Sequence, residues 1–498
     1  MLGTMKKILS ASIIIIFASV GFAHADATVK LSGSWEGGVM IANISDSDGD
    51  KLTTGDSDSS DPISKDLRSS NLFQETEVVV TATSELDSGW TASAIIEFEN
   101  NADLSYDHDE IFIRFSHSSF GDFEMGNRNM AGYRMVPQAA SAGFEPNGGA
   151  GNRIDDGLAA GELWSPLDAT GKFKPVAARN ILTLEDIGLP TAPSGAATGD
   201  STKISYITPR LYGLQIGVSY APDACEAGVA VNDPNKCTAG GTGLESNSDL
   251  AFVGGAFGDA WSVAANQAIP LEMLGLDSDG LVLVGAGYYK SLLEQGTLAT
   301  SLSQLHTLGQ LPTAPNVVIP YIPSDSNYFI GDGYTEWNVG ALLKVNGFKV
   351  SGAYRTGDFG AAAPEISTYQ VGTTYASGAW EFGVNYAHGE AKRPTKAEAQ
   401  AAVTAYNGTI KSMAGANPAL ASYATLSKAQ AVAAIGASTY SFGGTDTIDA
   451  WEIAANYDLG PGVKLIGAVR HYDAEQGLGA AAGTYEKTIV ELGSKINF

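Results

Sequence analysis

From Thr28 to the terminal Phe498 the chain keeps returning to one pattern: apolar and polar residues alternate singly. Asn71 to Thr83 places Glu75, Glu77, Thr81 and Thr83 on one parity and Val78, Val80 and Ala82 on the other. Trp90 to Asn101 sets Trp90, Ala92, Ala94, Ile96 and Phe98 against Thr91, Ser93, Glu97 and Glu99. The last stretch sets Val490, Leu492, Ile496 and Phe498 against Lys487, Glu491 and Lys495. A period of two is that of a β-strand, whose successive side chains point to opposite faces, and it excludes a helical bundle. The polar parity carries its charges singly, among them Glu77, Glu97, Arg114, Arg128, Lys349, Arg355, Glu381, Glu452, Lys464, Arg470, Lys487 and Glu491. The apolar parity carries Trp35, Trp90, Trp337, Trp380, Trp451, Tyr369, Tyr375, Tyr386 and Tyr457, many of them near strand ends, as in the aromatic girdles of a membrane barrel.

The connections alternate in length. Asn346-Gly347, Ser377-Gly378 and Gly460-Pro461-Gly462 mark tight hairpin turns. Between the hairpins lie long loops: Ile44 to Asp66, Asn129 to Asp200, Pro222 to Asn247, Ser291 to Gly333 and the Ala-rich insert 390–445. A long structureless loop inside a compact domain argues against the element assignment unless the loop is functional. A β-sandwich of this many similar strands would have to divide into domains around thin cores, and no Pro/Ser-rich linker divides the chain. The pattern therefore predicts an all-β fold. It is a transmembrane antiparallel up-and-down β-barrel of about 16 strands, with short turns at one rim and long loops at the other. The count is sixteen if Leu250 to Ile269 is one strand and higher if it is a hairpin. An even count brings both ends to the tight-turn rim, where the last strand meets Val29 to Ile41 and no edge is left open.

Residues 1–25 read as a cleaved signal peptide. Lys6 and Lys7 precede a short apolar run, Ile8 to Phe22, and Ala23-His24-Ala25 supplies a small-x-small cleavage site. The mature chain, 26–498, is expected to start at Asp26 as a single barrel. Removing the two lysines moves the formal net charge from −26 to about −28. That balance excludes nucleic acid as a partner. No later segment has enough consecutive apolar residues for a spanning helix. Charged residues make up only 17 % and glycines number 59, which suits strands with one apolar face and many turns. Cys225 and Cys237 are expected to form one loop disulfide in an exported protein, two free thiols being the alternative.

The chain resembles the general porins of Gram-negative outer membranes, in particular their α-proteobacterial branch. The resemblance rests on L-S-G-S-W at 31–35, S-S-F-G-D-F-E-M-G-N-R at 118–128, I-S-Y-I-T-P-R-L-Y-G-L-Q-I-G-V-S-Y-A-P at 204–222 and the closing I-N-F. It implies a homotrimer of sixteen-stranded barrels with water-filled pores for ions and small hydrophilic solutes. Its partners are then membrane lipid, lipopolysaccharide and the barrel-assembly machinery, for which Phe498 is the assembly signal. It also implies that the third external loop, here 129–200, folds into the barrel and narrows it. Acidic residues of that loop face basic residues of the wall in such porins. Asp155, Asp156, Glu162 and Asp168 are the loop candidates; Arg114, Arg128, Arg355 and Arg470 are the wall candidates by parity. The insert 390–445 departs from the compact family pattern.

No cofactor is expected. Asp46-x-Asp48-x-Asp50 is close to a calcium-loop spacing, but Gly49 is misplaced and Ser57 stands where a Glu is needed, so the EF-hand pattern fails. A loosely held Ca²⁺ bridging to lipopolysaccharide is left open beside a solvated acidic loop. His108, His117, His306, His388 and His471 are scattered, with neither G-x-S-x-G nor H-E-x-x-H, so no enzyme is expected. Two other readings stay open: a channel specific for a sugar or other nutrient, and an adhesin or receptor acting through its loops.

Overall fold

The computed structural model describes residues 27–45, 70–86, 88–100, 106–107, 110–144, 201–223, 257–276, 279–293, 333–358, 365–392, 395, 397, 444–476 and 483–498. The expectations for the signal peptide, for Asp46 to Asp50, for Cys225 and Cys237, for Asp155, Asp156, Glu162 and Asp168, and for most of 390–445 fall outside these residues.

The strands, in chain order, are β1 (Thr28–Ser45), β2 (Ser70–Glu85), β3 (Thr91–Asn100), β4 (Tyr106–Asp107), β5 (Ile111–His117), β6 (Gly121–Asn127), β7 (Thr202–Ile207), β8 (Leu214–Asp223), β9 (Phe257–Pro270), β10 (Gly280–Leu293), β11 (Gly333–Val345), β12 (Phe348–Asp358), β13 (Glu365–Ser377), β14 (Trp380–Lys392), β15 (Thr445–Gly460), β16 (Val463–Gln476) and β17 (Gly483–Asn497). Both β4 and β5 pair with β3, so they fill one place between β3 and β6. The barrel thus has 16 strand positions. Each strand position pairs antiparallel with the next, and β1 closes on β17 from Ser34↔Asn497 to Ser45↔Glu486. Of the stretch the sequence left open, the described residues from Phe257 onward lie in one strand, β9.

The tight turns share one rim with both chain ends. Asn346 (φ 48°) and Gly347 (φ 83°) are both left-handed, as a two-residue hairpin turn between right-twisted strands requires. A 3₁₀ turn, Leu271–Leu274, joins β9 to β10 at the same rim. The opposite rim takes the long connections, including 128–201 after β6.

The two faces divide as the alternation predicts. Leu72, Val29 and Leu492 point outward and are 73 %, 70 % and 63 % exposed, in a girdle that also includes Trp337, Trp380, Trp451, Tyr369 and Tyr375. An apolar outer surface of this extent belongs in lipid. No helix among the described residues is long and apolar enough to cross a membrane; the strands do the crossing. The buried centre lies inside the barrel, where Met130, Ala131, Met135, Val136, Ala139, Ala142 and Phe144 press against the inner wall.

Candidate functional site

These buried residues belong to a segment that enters the barrel after β6. It begins with one helical turn, α1 (Ala131–Arg134), and continues irregularly to Phe144. Its root is held by charge. Glu124 of β6 accepts hydrogen bonds from Arg128 Nη1 and from Arg134 Nη2, the latter at 2.6 Å. Arg128 Nε stands 3.4 Å from Glu110 Oε2, and the guanidinium lies 4.3 Å over the Phe112 ring. Burial, then the neighbouring Arg134, lowers the pKa of Arg128, while Glu124 and Glu110 oppose that shift. An arginine stays charged there, because guanidinium starts far above neutrality.

Beyond the root, the segment follows the inner wall across successive strands, each supplying a polar side chain to its backbone. Ala131 N–H donates to Ser219 Oγ (2.9 Å) on β8, and Gly132 N–H to Ser262 Oγ (3.0 Å) on β9. Asn266 Nδ2 of β9 donates to the Met135 carbonyl (3.0 Å). Ala139 N–H donates to Gln370 Oε1 (3.1 Å) on β13, and Asn456 Nδ2 of β15 to the Ala142 carbonyl (3.0 Å). These bonds satisfy backbone groups that a packed segment would otherwise bury unpaired, at a cost of about 1–3 kcal/mol each.

Close approach is possible because the wall beneath is lined with glycines on the inward parity. A methyl group at Gly285 would stand 2.6 Å from the Met135 carbonyl oxygen, and one at Gly383 would stand 2.9 Å from Ala142 N and Cβ. At Gly340 and Gly372 a Cβ would overlap the carbonyl oxygens of Pro137 and Ala140. These positions are glycine because another backbone lies against them.

The far end of the segment meets a buried charged triad. Arg470 of β16 donates from Nε to Glu452 Oε2 of β15 (2.6 Å) and from Nη1 to Glu491 Oε2 of β17 (2.5 Å). All three side chains are 0 % exposed. Glu452 Oε1 also accepts from Asn385 Nδ2 (2.7 Å) and from Ser141 Oγ of the segment (2.5 Å). Arg470 Nη2 donates to the Phe144 carbonyl (3.3 Å), and the Phe144 ring stands edge-on to Phe73 of β2 at 5.0 Å.

Each arginine singled out in the sequence therefore has a definite place. Arg128 braces the segment root and Arg470 its far end. Arg355 of β12 is 2 % exposed, with Nε 3.1 Å from Glu336 Oε2 of β11. Arg114 of β5 stands in register between Ser93 and Glu124. The structure brings Arg114 and Arg128 to the β5–β6 side of the barrel and Arg470 to the β15–β17 side. Sequence reasoning singled out neither the glycines nor Ser219, Ser262, Asn266, Gln370 and Asn456. Their one signal was small or amide residues repeating on the inward parity.

From α1 onward the segment follows the wall from β8 to β17, and its Phe144 reaches Phe73 of β2. The inner wall of β2, β3 and the residue preceding β5 carries Glu75, Glu77, Glu97 and Glu110 on the inward parity. A barrel with an apolar exterior, a polar inner parity and one segment folded against part of its wall is built as a conduit. The sequence profile of Gram-negative porins matches residues 10–477 of the chain. The chain belongs to the Gram-negative porin family. It is an outer-membrane channel for passive diffusion. No curated protein matches the sequence. Among solved structures, the chain is similar to an anion-selective porin from Comamonas acidovorans, with 14 % identity and a TM-score of 0.45, covering 95 % of this chain and 100 % of that one. A Rhodobacter blastica porin mutant matches at 14 % identity and a TM-score of 0.41, with coverage of 95 % and 100 %. A loop-deletion mutant of OmpT from Vibrio cholerae matches at 9 % identity and 0.43, with coverage of 95 % and 99 %.

Proposed function

We propose that this porin is a general diffusion pore that prefers cations. The observation that carries the reading is the inner wall of β2 and β3, where Glu75, Glu77 and Glu97 lie on the inward parity beyond the point where Phe144 meets Phe73. In a narrow lumen with low-dielectric walls, fixed carboxylates raise the local cation concentration and oppose anion entry. Arg355 and Arg470 oppose this field weakly, since each is held against glutamate. Neutralising Glu77 and Glu97 together, by Glu77→Gln and Glu97→Gln, should shift the reversal potential in a KCl gradient toward anions. An unchanged reversal potential would show that these two carboxylates do not set the preference. Saturable block by a single sugar or other nutrient would favour the specific-channel reading instead.

The remaining constriction charges extend the same reading. Asp155, Asp156, Glu162 and Asp168 follow Phe144 in the chain, and the support for placing them in the lumen is that the chain is already inside the barrel at Phe144. Arg114 and Arg128 are the basic partners at its root. Export with cleavage before Asp26, assembly as a homotrimer, contact of the long loops with lipopolysaccharide, and handling by the barrel-assembly machinery through Phe498 complete the proposal. No enzymatic role is assigned. His388 is engaged with Asp449 at 2.8 Å and His471 with Thr488 at 2.8 Å, both on the outward parity.

A further inference from the structure

In an outer-membrane barrel the tight turns face the periplasm. Three neighbouring turns at that rim display large apolar side chains. Phe120 stands exposed between β5 and β6, Leu211 and Tyr212 between β7 and β8, and Met273, Leu274 and Leu276 between β9 and β10. The turn residues Asn346-Gly347, Gly378-Ala379 and Gly460-Pro461-Gly462, between β11 and β16, carry none. The apolar turns continue the lipid-facing wall. The Phe120 ring lies 6.0 Å from that of Trp90 and 4.7 Å from that of His117, and the Phe120 carbonyl accepts from the Tyr206 hydroxyl (2.7 Å). Leu211 pairs with the outward Leu214, and Leu271 folds back over Gly280 at the foot of β10.

Tyr212 is the most exposed of these, at 98 %, and its φ of 51° is a left-handed backbone that costs a bulky side chain conformational energy. Asn346 holds the same place in its own hairpin at φ 48°, and asparagine suits that place better. The β7–β8 turn is nonetheless held firmly. Leu211 and Leu214 exchange two backbone bonds (2.8 and 2.9 Å), Gln267 Nε2 donates to the Tyr212 carbonyl (2.8 Å), and Arg210 Nη1 donates to the Gly213 carbonyl (2.6 Å). A strained turn thus presents an aromatic ring that packs on nothing in its own chain, and strain kept in this way points to what the ring meets outside.

We propose that Phe120, Leu211, Tyr212, Met273, Leu274 and Leu276 form a one-sided collar that inserts into the headgroup zone of the periplasmic phospholipid leaflet. The occupant is lipid because the collar extends a wall already in lipid, and because tyrosine joins an apolar body to a polar tip, which suits that zone. Glu272 and Asp279 are exposed in the same β9–β10 connection, and ionised carboxylates keep it from sinking into the hydrocarbon core. The barrel is thereby seated deeper on its β5–β10 side, while the β11–β16 turns stand in periplasmic water. The inference needs the membrane barrel and not the ion preference proposed above.

Tyr212→Asn relieves the backbone and removes the ring, so the two effects oppose each other. In phospholipid vesicles its urea midpoint should fall below that of the wild type, with unit conductance unchanged. An equal or higher midpoint would overturn the proposal, since relief of strain would then outweigh any loss of insertion. A changed unit conductance would overturn it too, by placing Tyr212 in the permeation path. Depth is an independent measurement. Met273→Cys and Pro461→Cys, each in a chain also carrying Cys225→Ser and Cys237→Ser, can be labelled with an environment-sensitive fluorophore. The label at 273 should be several-fold less accessible to iodide than the label at 461, and it should be quenched by phospholipids bearing a nitroxide on the headgroup. Equal iodide access at the two positions would overturn the proposal. Shielding at 273 without quenching by lipid would overturn it as well, because a protein partner, a second copy included, would then cover the collar. Should the chain without cysteines fail to assemble, as judged by heat-modifiable electrophoretic mobility, the Tyr212→Asn comparison decides alone.

Discussion

A glycine in a strand usually weakens it, since it packs no side chain and loses more chain entropy on folding. Gly340 is kept because the Pro137 carbonyl oxygen occupies the volume its Cβ would need. The obstacle is backbone on backbone, so no rotamer change relieves it. Gly340→Ala should destabilise the barrel by about 1–3 kcal/mol, the usual cost of overpacking. The comparison is Gly467→Ala on the lipid face, where a methyl would meet the Leu492 Cδ2 atom at 3.1 Å, which can rotate away, and the Glu491 carbonyl oxygen at an ordinary 3.9 Å. Urea midpoints in detergent micelles should fall for the first variant and hardly move for the second. Equal shifts would mean that Gly340 is kept for a strand property and not for the segment.

At the scale of elements, local chemistry and distant contact divide what can be read from sequence. The Asn346-Gly347 turn was legible because its requirement is local: two left-handed residues between two alternating strands. Gly347→Ala should cost about 1–2 kcal/mol through the left-handed backbone, and more because a Cβ there would stand 2.6 Å from the Ala376 carbonyl oxygen, seen as a lower urea midpoint with unchanged conductance. Strand faces were legible for the same reason, and the parities of β1, β2, β3 and β17 match the observed inward and outward sides. The ends of β13 and β14 differ slightly from expectation: the strands reach Ser377 and Trp380, leaving Gly378 and Ala379 as the turn. The path of 131–144 was not legible. Its bonds join Ala139 to Gln370 and Ala142 to Asn456, pairs 231 and 314 residues apart. No local pattern encodes which strand a loop will lie upon. Arg355 and Arg470 illustrate the limit: parity gave their inward direction, but only the register, Asn338↔Arg355 and Glu452↔Arg470, puts glutamates within reach of them.

At the scale of the whole molecule, the barrel closes along the β1–β17 seam, and Phe498 stands at its end. The backbone of Phe498 donates to the Gly33 carbonyl (3.0 Å) and accepts from Gly33 N–H (2.9 Å), which extends the β1–β17 seam to the end of the chain. Its ring lies over Gly33, where a Cβ would meet Phe498 Cζ at 3.0 Å. Deleting Phe498 removes the seam bonds and the ring together; Phe498→Ala removes only the ring. Two roles are thereby separable. If the seam bonds matter most, the deletion should lower the yield of assembled barrel and Phe498→Ala should not. If the aromatic ring is what the assembly machinery reads, both variants should lose yield in cells, and Phe498→Ala should refold normally in detergent. The second outcome is the one expected, because a seam that pairs residues from Ser34↔Asn497 to Ser45↔Glu486 loses little from two bonds at its end. In either case the barrels that do assemble should keep wild-type conductance per pore. The ring stands at the tight-turn rim on the lipid side, away from the lumen face that carries Glu452, Arg470 and Glu491. A change in unit conductance on losing the ring would place Phe498 in the permeation path and contradict the outward parity on which the fold was argued.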